Sequence, residues 1–256
     1  MAVENFREFE KKAKESLDRL FNSAKKQNEF AYVFSLLGLN SGIEDQGWQP
    51  IAETYSLMRD FVGIANAPFN QHTKARLLLL CYTQLTEANY IYHVIYNMLV
   101  SIEDENPPKL FSFLDLYNDG KPPSVKSKVA LICKKAKEHG HQDIQELLDA
   151  VFDYSIRNAV SHADYILYKN ELRLKHKGSE IKKIDLEDVF ALIQKTIVFF
   201  EVFFNVSDAH RKSYADGYII DNRKNMNGQA LARIILKVDP ELGLNGFQQS
   251  DPLPTW

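Results

Sequence analysis

The chain has 256 residues, 45% of them hydrophobic and 25% charged. That is the composition of an ordinary globular protein, long enough to bury a sizeable core. A net charge of -3 excludes a global basic field, and with it an extended non-specific nucleic-acid binder; any such contact must come from a local patch.

Residues 3–26 place Phe6, Phe9, Ala13, Leu17, Leu20, Phe21 and Ala24 on one helical face, with Lys, Arg and Glu opposite. A second helical piece is expected over 30–37, ending at Gly38. The Gly, Asn and Asp content of 38–47 predicts a loop. Residues 51–65 are helical again and stop before Pro68. A long helix is expected over 72–102, apolar on nearly every side and so a buried central helix, with Glu87, Asn89 and His93 as its polar exceptions.

Asn106, Pro107 and Pro108 end that helix. A short helix over 110–117 and a loop over 118–123 follow. Ser124 has the chemistry of an N-cap for a helix over 125–138, and Gly140 closes it. Residues 143–161 read as one continuous helix. Two short strands, 165–168 and 171–175, then flank a two-residue turn at Lys169 and Asn170. Asp185 caps a last core helix, 186–206. Beyond 207 the pattern weakens: 230–238 suits a strand or a short helix, and 248–256 a tail.

No signal peptide or membrane span is expected, because the N-terminus is charged and the apolar runs near residues 77–85 and 197–206 are short and interrupted by Gln84 and Glu201. Cys81 and Cys133 lie among apolar helical residues, which points to a reducing compartment. The chain is read as cytoplasmic. It carries no Cys/His/carboxylate cluster with ligand spacing, so neither metal nor cofactor is expected. His139 and His141 read as a solvated pair at a helix end.

The expected fold is all-α. An antiparallel four-helix bundle spans 71–206, with a β-hairpin before its last helix. The N-terminal helices, 1–70, form an added layer, and 207–256 is a C-terminal extension.

The densest chemistry lies at 153–165, Asp-Tyr-Ser-Ile-Arg-Asn-Ala-Val-Ser-His-Ala-Asp-Tyr. At about 100° per residue, Leu148, Phe152, Ser155, Ile156, Ala159 and Ala163 form a core stripe. Arg157, Ser161, Asn158 and His162 tile the adjoining flank in that order. Leu147, Ala150, Val151 and Tyr154 continue this flank upstream, an apolar strip suited to a two-fold helix-to-helix contact. The bland readings are an Asp153–Arg157 surface ion pair and a His162 that satisfies helix-end carbonyls.

Arg157-Asn158-Ala159-Val160-Ser161-His162 resembles the Arg-(polar)-x-x-x-His motif of the HEPN superfamily, and Ala163-Asp164-Tyr165 resembles the continuation in many bacterial members. The resemblance covers 72–206. It implies a metal-independent endoribonuclease with a composite Arg/His site at a homodimer interface. It also implies a bacterial defence or toxin–antitoxin setting and an antitoxin or regulatory protein as a further partner.

The side chains suit that chemistry. An imidazole changes charge near neutral pH, so His162 can shuttle the proton of an attacking 2′-hydroxyl. Arg157 offers a permanent forked cation to the phosphate. Asn158 and Ser161 support them, and Glu87 is a candidate partner for Arg157. Asp164, Tyr165, Lys182 and Lys183 are candidate RNA contacts, with Lys175-His176-Lys177 extending the basic patch. Two alternatives stand beside this reading. One is a non-catalytic HEPN module that binds a nucleotide, an RNA or a protein. The other is a structural helical protein with Asp153–Arg157 as a surface pair.

Overall fold

A computed structural model of the protein describes residues 2–37, 50–103, 123–175, 180–224 and 230–249. The protein is mostly helical, with two small antiparallel sheets. Its elements in order are α1 (Ala2–Gln27), α2 (Glu29–Leu37), α3 (Pro50–Asn66), α4 (Gln71–Thr86), α5 (Asn89–Ile102), α6 (Val125–Glu138), α7 (Gln142–Val151) and α8 (Tyr154–Ser161). Then come β1 (Tyr165–Tyr168), β2 (Glu171–Lys175), β3 (Ile181–Asp185), α9 (Leu186–Lys212), β4 (Ile219–Lys224), β5 (Ala230–Asp239) and β6 (Gly243–Gln249). The loop expected at 38–47, the short helix at 110–117 and most of the loop after it lie outside the described residues, as do His176 and Lys177.

The amphipathic face of α1 lies deep in the molecule rather than in an outer layer. Leu17, Leu20 and Phe21 are fully buried, and α1 packs along α9, α5, α2 and α7. Phe21 meets Phe203 of α9 edge to face at 6.3 Å. Phe199, Phe200 and Phe203 are buried on the same long helix, each contributing about 1.5–3 kcal/mol by leaving water. By length and composition α9 is also the one described helix that could cross a bilayer, and 56% of its most apolar window is buried inside the protein. Cys81 is buried and Cys133 half-buried, both as free thiols.

Two expected helices are each broken in two. The 72–102 helix divides at Glu87 and Ala88 into α4 and α5, and the hydroxyl of buried Tyr92 takes the freed Thr86 carbonyl at 2.8 Å. The 143–161 helix divides at Phe152, whose backbone is extended (φ -113°, ψ 113°). Here the hydroxyl of Tyr82, fully buried on α4, accepts from the Asp153 N–H at 2.9 Å and donates to the Val151 carbonyl at 3.2 Å. Thr196 of α9 donates to the same carbonyl at 3.1 Å. Side chains from elsewhere thus replace the helical bonds that the break removes. Apolar periodicity ran through both breaks because each half keeps its buried face on the same core.

Ser124 caps α6 by accepting from the Ser127 N–H. Gly140, at φ +74°, closes α6, with the His141 N–H reaching back to the Ala136 carbonyl at 2.7 Å. The hairpin has the expected bounds, but a third strand joins it: β3 pairs with β2, giving the order β1-β2-β3.

A second sheet, β4-β5-β6, follows α9; the stretch 230–238 is a strand within it, β6 takes in residues 248 and 249 of the expected tail, and the rest of that tail lies outside the described residues. The sheet docks on the end of α9, where Arg211 Nε donates to the Leu244 carbonyl at 3.0 Å. Gly243 enables that approach. It sits at φ +73°, and a Cβ there would lie 2.9 Å from the backbone of Arg211.

Candidate functional site

The site is built on α8, a helix of only two turns whose direction is set at both ends. At its start Asp153 is the N-cap. Its Oδ1 accepts from the Ser155 N–H at 2.8 Å, the Ile156 N–H at 3.0 Å and the Ser155 hydroxyl. Lys182 of β3 reaches the other carboxylate oxygen at 3.4 Å and Ser155 Oγ at 3.1 Å, fastening the sheet to the helix. Burial by itself would raise the Asp153 carboxyl, but these donors and the lysine charge hold it below the usual carboxylate range.

The sign of the pH dependence follows. A depressed carboxyl contributes stability above its unfolded pKa of about 3.9 and loses it as pH falls through the folded value. Asp153→Asn, which keeps an acceptor at the cap, is therefore expected to flatten the decline of melting temperature below about pH 4. Parallel curves for parent and variant in that window would contradict this role for Asp153.

At its end α8 closes in a Schellman turn. The Asp164 N–H reaches the Ala159 carbonyl at 2.8 Å, and the Ala163 N–H reaches Val160 at 3.2 Å. The left-handed residue is Ala163, at φ +56°, where glycine would be relaxed; an L-residue there costs about 1–2 kcal/mol. His162 is the C-cap, outside helical geometry (φ -103°, ψ 4°). Its backbone N–H bonds the Asn158 carbonyl, while its exposed imidazole projects from the end of the helix.

Arg157 turns from Asp153 to a residue 70 positions earlier. One guanidinium nitrogen forms an ion pair with Glu87, and the other donates to Asn158 Oδ1 at 2.9 Å. Glu87 lies in the α4–α5 break and is exposed, not on a buried helix as the sequence suggested. Arg157 Nε is buried without a hydrogen-bond partner.

Asn158 also lines a shallow cavity of about 200 Å3 with Ser155, Ala159, His162, Asp164, Leu174, Lys175 and Lys182. It is thus the link between the Arg157–Glu87 pair and the His162 cavity. Ser161, expected to share that role, is exposed and is not among the lining residues.

The remaining expected contacts are sorted by the sheet. Successive side chains point to opposite faces. Lys182 therefore faces α8, and Lys183 faces outward beside Arg173; they do not form one patch. Asp164 lines the His162 cavity and also a neighbouring one of about 560 Å3, which Tyr165 and Lys175 line as well.

No family model, curated protein or solved structure matches the chain.

Two other expectations change. The apolar flank meant for a two-fold contact is largely internal: Leu147 and Val151 are buried at 1% and 0%, packed within the same chain because the break at Phe152 turns α7 onto α9 and α6. His139 and His141 are not a solvated pair. His139 Nε2 lies 3.0 Å from Glu103 Oε1, and His141 is buried at the start of α7. Among the described residues no group of three His, Cys, Asp or Glu side chains is placed to hold a metal ion.

Sequence reasoning missed Tyr82 and the capping role of Asp153. An Asp directly ahead of a run with helical apolar spacing is a helix-start signal. Nothing local points to Tyr82, since its partner is 71 residues away.

Proposed function

We propose that the chain is a metal-independent endoribonuclease of HEPN type, acting as a homodimer on RNA. The observation that supports this reading is the chain of contacts Glu87–Arg157–Asn158, which ties a fixed guanidinium to a residue lining the cavity of the exposed His162 imidazole. A permanent cation and a titratable imidazole are the two elements that cleavage by the RNA's own 2′-hydroxyl needs. The hydroxyl oxygen bonds to phosphorus as its proton passes to a base. The 5′-oxygen leaves with a proton from an acid, giving a 2′,3′-cyclic phosphate and a 5′-hydroxyl end.

Arg157 is the phosphate-side cation, held by the positioning residue Glu87. His162 is the proton-transfer residue, and Asn158 connects the two. The four-helix core expected of the family, and a bacterial defence or toxin–antitoxin setting with its restraining partner, belong to this same reading.

Among the described residues His162 supplies the one exposed imidazole, whereas the reaction takes both a base and an acid. A second copy meeting the first at the exposed end of α8 would supply the other. The contact surface is then the polar one of Asn158, Ser161 and His162, since Leu147 and Val151 are buried. Light scattering is expected to give about twice the 29.5 kDa chain mass; a clean monomer that still cuts RNA would remove the composite site.

The activity test is incubation of the purified chain with single-stranded or transfer RNA in EDTA. Cyclic-phosphate ends support the reading. Tight RNA binding with no cut products replaces it with a non-catalytic binding module.

A further inference from the structure

The β1–β2–β3 sheet has a second face that the cleavage chemistry does not use. Its register is Ile166 opposite Arg173, Arg173 opposite Lys183, Tyr168 opposite Glu171, and Lys175 opposite Ile181. Strand alternation therefore gathers Ile166, Tyr168, Arg173, Lys175, Ile181 and Lys183 on the outward face, together with the carboxylates Glu171 and Asp185. The inward face holds Leu167, Leu172, Leu174 and Ile184 against the protein.

Three large apolar side chains on the outward face are exposed: Ile166 at 66%, Ile181 at 55% and Tyr168 at 46%. The guanidinium of Arg173 lies 4.1 Å from the centroid of the Tyr168 ring. It also bonds Glu171 at 2.8 Å, so one face of the ring is backed and held while the residue stays open to solvent. Lys175 lies at the end of the sheet nearest α8 and Lys183 at its middle, while the carboxylates Glu171 and Asp185 lie at the hairpin turn, where Lys169 Nζ sits 5.5 Å from the Tyr168 ring centroid.

The outward face bounds the cavity of about 560 Å3. That cavity shares Asp164, Leu174 and Lys175 with the His162 cavity. The sheet face and the histidine are thus two ends of one continuous surface.

We propose that this outward face is a stacking platform for single-stranded RNA, which carries the strand past Lys175 to His162. Flat apolar surface backed by a guanidinium takes the π-face of any base, and flanking lysines take the phosphates. Selection is therefore for unpaired strands rather than for a sequence, because a duplex keeps its base faces stacked on one another. The charge argues for this occupant over a second copy of the chain: Arg173, Lys175 and Lys183 outnumber Glu171 and Asp185 on this face, so it attracts a polyanion and repels its own copy. The direction of travel rests on the cleavage reading above; the binding itself does not.

The test uses the full chain carrying His162→Ala, with a fluorescently labelled single-stranded RNA of mixed sequence in EDTA, read by anisotropy. Tyr168→Ala is expected to weaken binding about tenfold, and Tyr168→Phe to restore it. Lys175→Gln and Lys183→Gln should each reduce the slope of log affinity against log salt by about 0.7. The same RNA in duplex form should bind more weakly.

Unchanged affinity in Tyr168→Ala overturns the proposal. So does an Ile166→Ser, Ile181→Ser variant that lowers the molecular mass in solution while binding RNA normally, since the face is then a self-contact. If these variants lose binding and the parent chain never cuts RNA, the platform stands and the cleavage reading falls. If the parent cuts RNA and the variants neither lose binding nor slow cutting, the platform falls and the cleavage reading stands.

Discussion

His162→Ala is expected to slow RNA cleavage in EDTA by about 100- to 10,000-fold, the range that a lost proton-transfer group costs. The fold should be untouched. The imidazole is exposed, and the capping bond of residue 162 comes from its backbone N–H to Asn158, which alanine retains. The melting temperature and helical signal of the variant should match the parent. Cleavage at the parental rate by a folded variant would remove His162 from the chemistry and with it the proposed reaction. Arg157→Ala cannot serve as so clean a test. It leaves Glu87 without its cation and empties a partly buried slot, so lost activity there mixes chemistry with structure.

Tyr82→Phe should have the second-largest effect, and through a residue with no place in the reaction. The hydroxyl lies fully buried between α7 and α8, holding the Asp153 N–H and the Val151 carbonyl. Phenylalanine keeps the ring and its packing but strands the buried Asp153 N–H, and it leaves the Val151 carbonyl only the Thr196 hydroxyl, whose one proton is shared with the Leu192 carbonyl at 2.9 Å. A buried unsatisfied group costs about 1–3 kcal/mol, which for a chain of this size lowers the melting temperature by about 2–12 °C.

Activity should fall further than stability alone explains, since the same hydroxyl fixes where α8 begins and so where Arg157 meets Glu87. The measurement is thermal unfolding alongside kcat at a temperature where both proteins are folded. An unchanged melting temperature would mean that the break holds itself without Tyr82.

Much of the local structure was legible because its causes are local. Lys169 and Asn170 between two short alternating runs specify a hairpin. Ser124 and Gly140 mark the two ends of α6. The third strand was missed because Ile181–Asp185 is short, mostly exposed and carries two lysines, so it has little strand signal until β2 lies beside it. Within the C-terminal sheet, 230–238 reads by its own sequence as a strand or a short helix, and the strands on either side, β4 and β6, decide between the two.

The candidate site divides along the same line. The sequence by itself determined which side chains are present and that Arg157, Asn158 and His162 stand at the end of one helix, because helix-end signals and spacing act over a few residues. Only the tertiary structure decided what they do there. It broke the helix at Phe152 with a hydroxyl from α4, and it turned Arg157 from Asp153 to Glu87. It buried the apolar flank of Leu147 and Val151 in the chain's own core, and sent Lys182 and Lys183 to opposite faces of a sheet. Each outcome depends on a partner brought from far along the chain, and such partners are chosen by packing rather than by spacing.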